Sequence, residues 1–250
     1  MSELLRPDGH KIAYHQTTRQ PPGVIFLGGF KSDMSGNKAL SLEHWCQVQN
    51  HSFLRFDYLG HGTSSGRFED GTIGRWRDDA LAVLDELTKG PQILVGSSMG
   101  GWISLLVALA RPQRIASIVT IAAAADFTER LIWQQLTAAG QERLRREGVW
   151  QRPSDYDQQA YPITYQLIEE ARQHQLLNQA EIALHCPMRL LHGLQDSDVP
   201  WQTSVAIAER LSGNNVRVEL IKEGEHRLAR PEDLARLHSV LSELVALASY

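Results

Sequence analysis

Cysteine is scarce. Cys46 and Cys186 are the only two in 250 residues, and they lie far apart. That excludes a disulfide framework and a cysteine-rich metal cluster, and leaves two reduced thiols that pack as small hydrophobes. An excess of positive charge is also missing. Lys and Arg number 25 against 29 Asp and Glu, a formal net charge of -4, so there is no electrostatic case for a nucleic-acid partner. No stretch reaches the roughly 20 apolar residues that a membrane span needs. The longest small apolar run, IASIVTIAAAA at 115–125, reads as a buried strand. The opening residues, MSELLRPDGHKIAYH, contain no apolar run of signal-peptide length, so the expected location is cytoplasmic. Internal repeats and low-complexity tracts are absent. There is no His-Glu-x-x-His and no closely spaced Cys/His set, and Gly36-Asn37-Lys38 lacks the preceding glycine pattern of a P-loop. Neither a metal nor another cofactor is expected.

What remains is an ordinary globular composition, 42% hydrophobic and 22% charged. The length suits one α/β domain, 1–250, carrying an insertion. Short apolar runs alternate with longer helical patterns. KIAYHQT (11–17), VIFLGGF (23–29), SFLRFDY (52–58), PQILVG (91–96), the run from 115, PMRLLHG (187–193) and VRVELIK (216–222) read as strands. Residues 37–50 have helical spacing. So do 72–90, where Trp76, Ala80, Val83, Leu84 and Leu87 share a face and Gly90 is the stop signal. Further helices are expected after the serines at 97–98, at 201–212 and from Pro231. This alternation implies a mostly parallel, doubly wound sheet. It breaks between about Asp126 and Cys186, where helical segments but no convincing strand are seen. The expectation is a helical lid, 126–186, inserted over the carboxyl ends of the strands, where open α/β sheets bind ligands. Trp133, Trp150 and Tyr156 fall within it and are candidates to line a substrate pocket; packing in the lid's own core is the alternative.

The stretch LVGSSMGGW (94–102) places two serines between glycines. Gly96-Ser97-Ser98-Met99-Gly100 matches G-x-S-x-G with Ser98 central; in Ser97's register, Val95 and Met99 would fall at the glycine positions. The glycines suit a sharp strand-to-helix turn that exposes a nucleophile, because side chains two residues away on either side would collide. A serine hydroxyl needs a base, and the base needs an orienting carboxylate. On this type of sheet the chain order is Ser, then Asp or Glu, then His. Asp196 and Asp198 lie just past the 187–193 strand, and His226 lies just past the next. His226 is the candidate base. Asp196 is preferred as the acid, Asp198 reads as a loop or capping carboxylate, and Asp126 ranks last. His61 and His192 read as structural. The oxyanion needs two backbone N–H donors. Met99, at the start of a helix, is one candidate, and Phe30, in the loop after the VIFL strand, is the other.

On these residues the chain resembles the α/β-hydrolase superfamily. FDYLGHGTSSG, TIGRWRDDAL, GPQILVGSSMGGW, CPMRLLHGLQDSDVPW and EHR, in this order, resemble the group of α/β-hydrolase domain-containing protein ten, and GVWQRPSDY extends the likeness into the insertion. The resemblance implies Ser98, Asp196 and His226 as a triad. It also implies acyl-protein (palmitoyl) thioesterase or acyl-glucuronide esterase activity. Two features depart from the group: the animal members carry a mitochondrial presequence that is not seen here, and Gly28-Gly29 stands where the superfamily more usually has His-Gly. The expected activity is a serine hydrolase forming an acyl-enzyme from an acylated small molecule or an S-acylated protein, with the chain a monomer or small homo-oligomer. A short-chain carboxylesterase, a carbon–carbon bond hydrolase and a non-catalytic ligand-binding protein remain open alternatives.

Overall fold

The computed structural model describes residues 1–153 and 160–248. Ten strands and seven α-helices are defined among them. They are β1 (Ser2–Leu5), β2 (Lys11–Thr17), β3 (Gln20–Leu27), α1 (Asn37–Val48), β4 (His51–Phe56), α2 (Ile73–Leu87), β5 (Gln92–Ser97), α3 (Met99–Ala110) and β6 (Ile115–Ile121). There follow α4 (Ala138–Glu147), β7 (Val149–Arg152), β8 (Tyr161–Thr164), α5 (Tyr165–Ala171), β9 (Met188–Gly193), α6 (Gln202–Arg210), β10 (Val216–Ile221) and α7 (Pro231–Ala248).

Eight strands form one sheet in the order β1-β2-β4-β3-β5-β6-β9-β10. It is parallel from β4 to β10, and β1 and β2 join antiparallel at one edge. Successive residues of the central strands serve opposite faces. Ile25, Leu27 and Leu94 enter the cluster shared with Trp76 of α2 and Trp102 of α3. Val24, Phe26, Ile93 and Val95 enter the cluster shared with Leu42 of α1 and Leu241 of α7. Covered on both sides, such strands have no polar face, which is why they read as unbroken apolar runs.

The insertion differs from the expected all-helical lid. The π-helical turn Thr128–Ile132 and the helices α4 and α5 are joined by an antiparallel hairpin, β7 paired with β8, with Trp150 opposite Ile163 and Arg152 opposite Tyr161. Polar contacts dock it. The Asp126 carboxylate accepts the N–H groups of Leu176 and Leu177, each at 2.8 Å, Trp102 Nε1 donates to His174 O at 3.1 Å, and Glu170 accepts from Gly74 N at the start of α2. Burial pushes the Asp126 carboxyl up from its ordinary value, opposed by those two backbone donors. Asp126 therefore anchors the insertion and is bonded away from His226.

Candidate active site

Ser98 links β5 to α3 with φ 55° and ψ -117°, in the left-handed half of backbone space that side chains ordinarily avoid. The surroundings hold it there. Ser98 N–H donates to Ile121 O at 2.8 Å, and Ser98 O accepts from Gly101 N and Ala124 N at 2.9 and 3.0 Å. The flanking glycines are steric necessities: a Cβ at Gly96 would collide with Gly100 O and Ser104 Oγ, and one at Gly100 with the carbonyls of Leu27 and Gly28. The turn leaves Ser98 half-buried, while its neighbour Ser97 ends β5 as a buried residue.

Three strand ends meet here. His226 Nε2 lies 3.1 Å from Ser98 Oγ, and His226 Nδ1 lies 2.8 Å from Asp196 Oδ2. The Asp196 side chain is fully buried and that of His226 is 15% exposed. The other carboxylate oxygen, Oδ1, accepts from Asp198 N and Val199 N, both at 2.9 Å. Asp198 thus serves the loop, contributing its backbone N–H to the acid.

His192 belongs to the same network. Its Nε2 lies 3.1 Å from Asp196 Oδ2 and 2.9 Å from Val199 O, and its Nδ1 lies 2.7 Å from Ser204 Oγ. Both neighbours of Nε2 are acceptors, so Nε2 carries a proton. Burial acts to raise the Asp196 carboxyl, but hydrogen bonds from His192 and His226 outweigh it and hold the carboxyl well below the usual range. Asp196 is an anion at neutral pH and fixes His226 with Nδ1 protonated and Nε2 free to accept from Ser98.

The loop after β3 runs beside the serine. The Cβ position of Gly29 is 3.4 Å from Ser98 Cβ. No carbonyl or side chain among the described residues accepts from the N–H of Phe30 or Met99, which leaves both free to meet an oxyanion. The loop is pinned from behind by His61, whose Nε2 accepts from Lys31 N at 3.1 Å while its Nδ1 donates to Leu59 O at 3.1 Å. Burial pushes His61 down to about 4, so it stays neutral and able to accept. The Phe30 ring is set edge-on to Phe68, Trp76, Phe127 and Tyr161.

A cleft of about 550 Å³ opens over Ser98 and His226. Phe30, Ala124, Phe127 and Leu131 give it apolar wall, and Lys31, Arg152 and Tyr161 lie along it as well. Trp133 and Trp150 do not line it, which corrects the expected pocket. Trp133 is 6% exposed in the core of the insertion, against Tyr165 and beneath the Arg145 and Arg172 guanidinium groups. Trp150 packs half-buried against the main core, opposite Ile163. Both pack into the apolar cluster that the insertion shares with the sheet and its helices. Tyr156 lies outside the described residues.

Ligand-type atoms of Asp196, Asp198 and His226 lie within 4.8 Å of one another. Both Asp196 oxygens, however, already accept from N–H groups, the pattern of an orienting acid. Among the described residues no helix is long and apolar enough to cross a membrane.

The family model for the alpha/beta hydrolase fold matches residues 26–167. The mitochondrial palmitoyl-protein thioesterase ABHD10 of Bos taurus is 42% identical over 248 residues, covering 98% of this chain and 80% of that protein. The solved structure of alpha/beta hydrolase domain-containing protein 10 from mouse is 40% identical, with a TM-score of 0.91 over 98% of each chain. Est1E from Butyrivibrio proteoclasticus, solved with ferulic acid bound, is 21% identical with a TM-score of 0.81 over 97% of each chain, a likeness of fold alone. The relatives correct one expectation. The similar thioesterases from cattle, human and orangutan are named mitochondrial, which overturns the cytoplasmic location expected from the N-terminal residues.

Proposed function

The chain belongs to the α/β-hydrolase fold family, in the branch of the ABHD10 thioesterases, and from that premise we propose that it hydrolyses acyl thioesters and activated acyl esters through a covalent intermediate on Ser98. The carrying observation is the relay Ser98–His226–Asp196, with contacts of 3.1 and 2.8 Å, on a serine held at φ 55°.

His226 Nε2 removes the Ser98 proton as Oγ attacks the acyl carbon, and Asp196 stabilises the imidazolium that forms. The oxyanion rests on the N–H groups of Met99 and Phe30. Collapse expels the thiol or alcohol, which takes its proton from His226. Water, activated by the same imidazole, then cleaves the acyl-serine ester and regenerates the enzyme. The acyl chain lies on the apolar wall of Phe127, Leu131 and Ala124, which the insertion, acting as a lid, closes over the serine. An S-palmitoylated protein is the favoured substrate, following the name that the relatives carry.

The test is steady-state hydrolysis of a long-chain acyl thioester, a short aryl ester and an acyl glucuronide by wild type, Ser98→Ala and Ser97→Ala. The expected outcome is loss of all turnover in Ser98→Ala alone, with the highest kcat/KM on the thioester. A winning short ester would move the assignment to a carboxylesterase, and activity surviving in Ser98→Ala would overturn the mechanism.

A further inference from the structure

β10 closes the sheet on the side away from β1, and no strand among the described residues pairs with its outer edge. Met188 N–H donates to Asn215 O at 2.9 Å and Leu194 N–H donates to Ile221 O at 2.8 Å, so the odd-numbered residues of β10 turn their main-chain groups toward β9. The N–H and C=O of Val216, Val218 and Leu220 therefore point outward, and none of them has a partner among the described residues. Such a row is a template for another strand. Edges of this kind are commonly blunted by proline, a bulge or lysines. The β10 sequence VRVELI contains neither proline nor lysine, and β10 runs along β9 without a shift of register.

The side chains of this edge are complementary to themselves. Arg217 and Glu219 flank Val218 with opposite charges. The Arg217 side chain is 66% exposed, with Nη1 3.1 Å from Glu243 Oε1, and the Glu219 side chain is 40% exposed and paired with Arg236. Leu220 is 39% exposed, while Val216 and Val218 are half-buried against the main core. A two-fold axis through Val218 lays an identical strand antiparallel along the edge. Val218 then meets Val218 of the second copy, and Val216 meets Leu220 on either side of it. These are the residues whose main-chain groups point outward, so each opposed pair exchanges two hydrogen bonds. Between them Arg217 opposes Glu219 of the second copy, and Glu219 opposes Arg217, in the closely spaced positions where cross-strand side chains interact. Axes one residue away, through Arg217 or Glu219, keep the hydrogen-bond phase but set like charges face to face. An axis between two residues loses the phase.

We propose that β10 joins a second copy of this chain, antiparallel about Val218, in an isologous dimer with one continuous sheet. The carboxyl ends of the strands in the two copies point opposite ways, so the two catalytic clefts open at opposite edges of that sheet. The inference stands apart from the acyl-hydrolase reading above.

The experiment is sedimentation velocity of the full chain over a range of about 1–200 µM, the span of a modest interface, at low and high salt. Wild type should pass from one chain mass to two as concentration rises, and less readily at high salt. Arg217→Glu opposes Glu to Glu in its own dimer, and Glu219→Arg opposes Arg to Arg, so each alone should dimerise about tenfold more weakly or worse. Mixed together, the two variants restore an opposite-charge pair at both positions and should form a heterodimer. Val218→Pro removes an outward N–H that β9 does not use, and should also leave a single chain mass. Turnover of a short aryl ester should be equal in all of these proteins, which reports that each remains folded. A wild type that stays at one chain mass throughout overturns the proposal and leaves the edge to a strand of another protein. A dimer that survives both charge reversals and Val218→Pro overturns it by placing the contact elsewhere. Charge variants that fail to dimerise alone and also fail to associate when mixed overturn the register about Val218.

Discussion

His192 Nε2 sits 3.1 Å from Asp196 Oδ2, the same carboxylate oxygen that faces His226 Nδ1 at 2.8 Å. The Asp196 carboxylate is thus gripped by two imidazoles, that of His226 facing Ser98 and that of His192 buried behind it and tied to Ser204. His192 touches no substrate; its effect passes through the orientation of Asp196. Replacing it with Asn is expected to lower kcat about 10- to 100-fold, with a smaller change in KM, because a charge-assisted hydrogen bond to the acid is lost. A kcat equal to wild type would leave His192 a packing residue.

His61 makes a second prediction on the other side of the serine. It accepts the Lys31 N–H from a buried position and so fixes the loop that carries Phe30. His61→Ala strands that donor and should cost about 1–3 kcal/mol in stability, measured by urea denaturation, together with a clear loss of kcat. The pH dependence has a definite sign. The folded-state value, about 4, lies below the ordinary 6.5. Between these values the unfolded chain binds more protons, so wild type loses this contribution as pH falls from about 6.5 to about 4. The variant should show a shallower loss in that window.

Asp196 titrates lower. Its carboxyl is held beneath the usual range in the folded state, so its contribution to stability is complete above the unfolded value of about 3.9. It is lost progressively as pH falls below that. Denaturation midpoints of wild type and Asp196→Asn should therefore converge in strong acid and differ most near neutrality. Activity of the variant at pH 7 should drop about 10³- to 10⁴-fold, the effect of leaving His226 in the wrong tautomer.

Gly100→Ala tests the turn itself. The added methyl meets the carbonyls of Leu27 and Gly28, at the base of the oxyanion loop. A destabilisation of about 1–3 kcal/mol is expected from overpacking. Labelling of Ser98 by a fluorophosphonate should also slow, read on protein that remains folded by circular dichroism. Labelling at the wild-type rate would mean that the loop tolerates displacement.

Much of the sheet is legible in the chain because buried parallel strands cannot carry polar residues. VIFL, ILVG and MRLL therefore announce themselves. Elements at the margins do not. The edge strand β1, SELL, is mostly exposed and carries no such signal. The hairpin in the insertion was equally hidden: VWQR is half-exposed, and YPIT contains a proline that argues against a strand. His61 and His192 were readable only as loop and strand histidines, because their partners, Lys31 N and Asp196, are chosen by how the loops pack.

By itself the sequence determined which serine stands between the glycines, which loops carry the proposed acid and base, and that one layered α/β sheet holds them. These follow from local rules: the steric demand of a tight turn, the burial of apolar runs and the order of strand ends. Only the tertiary structure decided which aromatic residues meet the cleft and which fill the core of the insertion. Helical and strand spacing place a tryptophan on a face, but not which neighbour that face will find. Trp133 and Trp150 turned inward to pack the insertion, while Phe127, Tyr161 and the cations Lys31 and Arg152 were left around the serine.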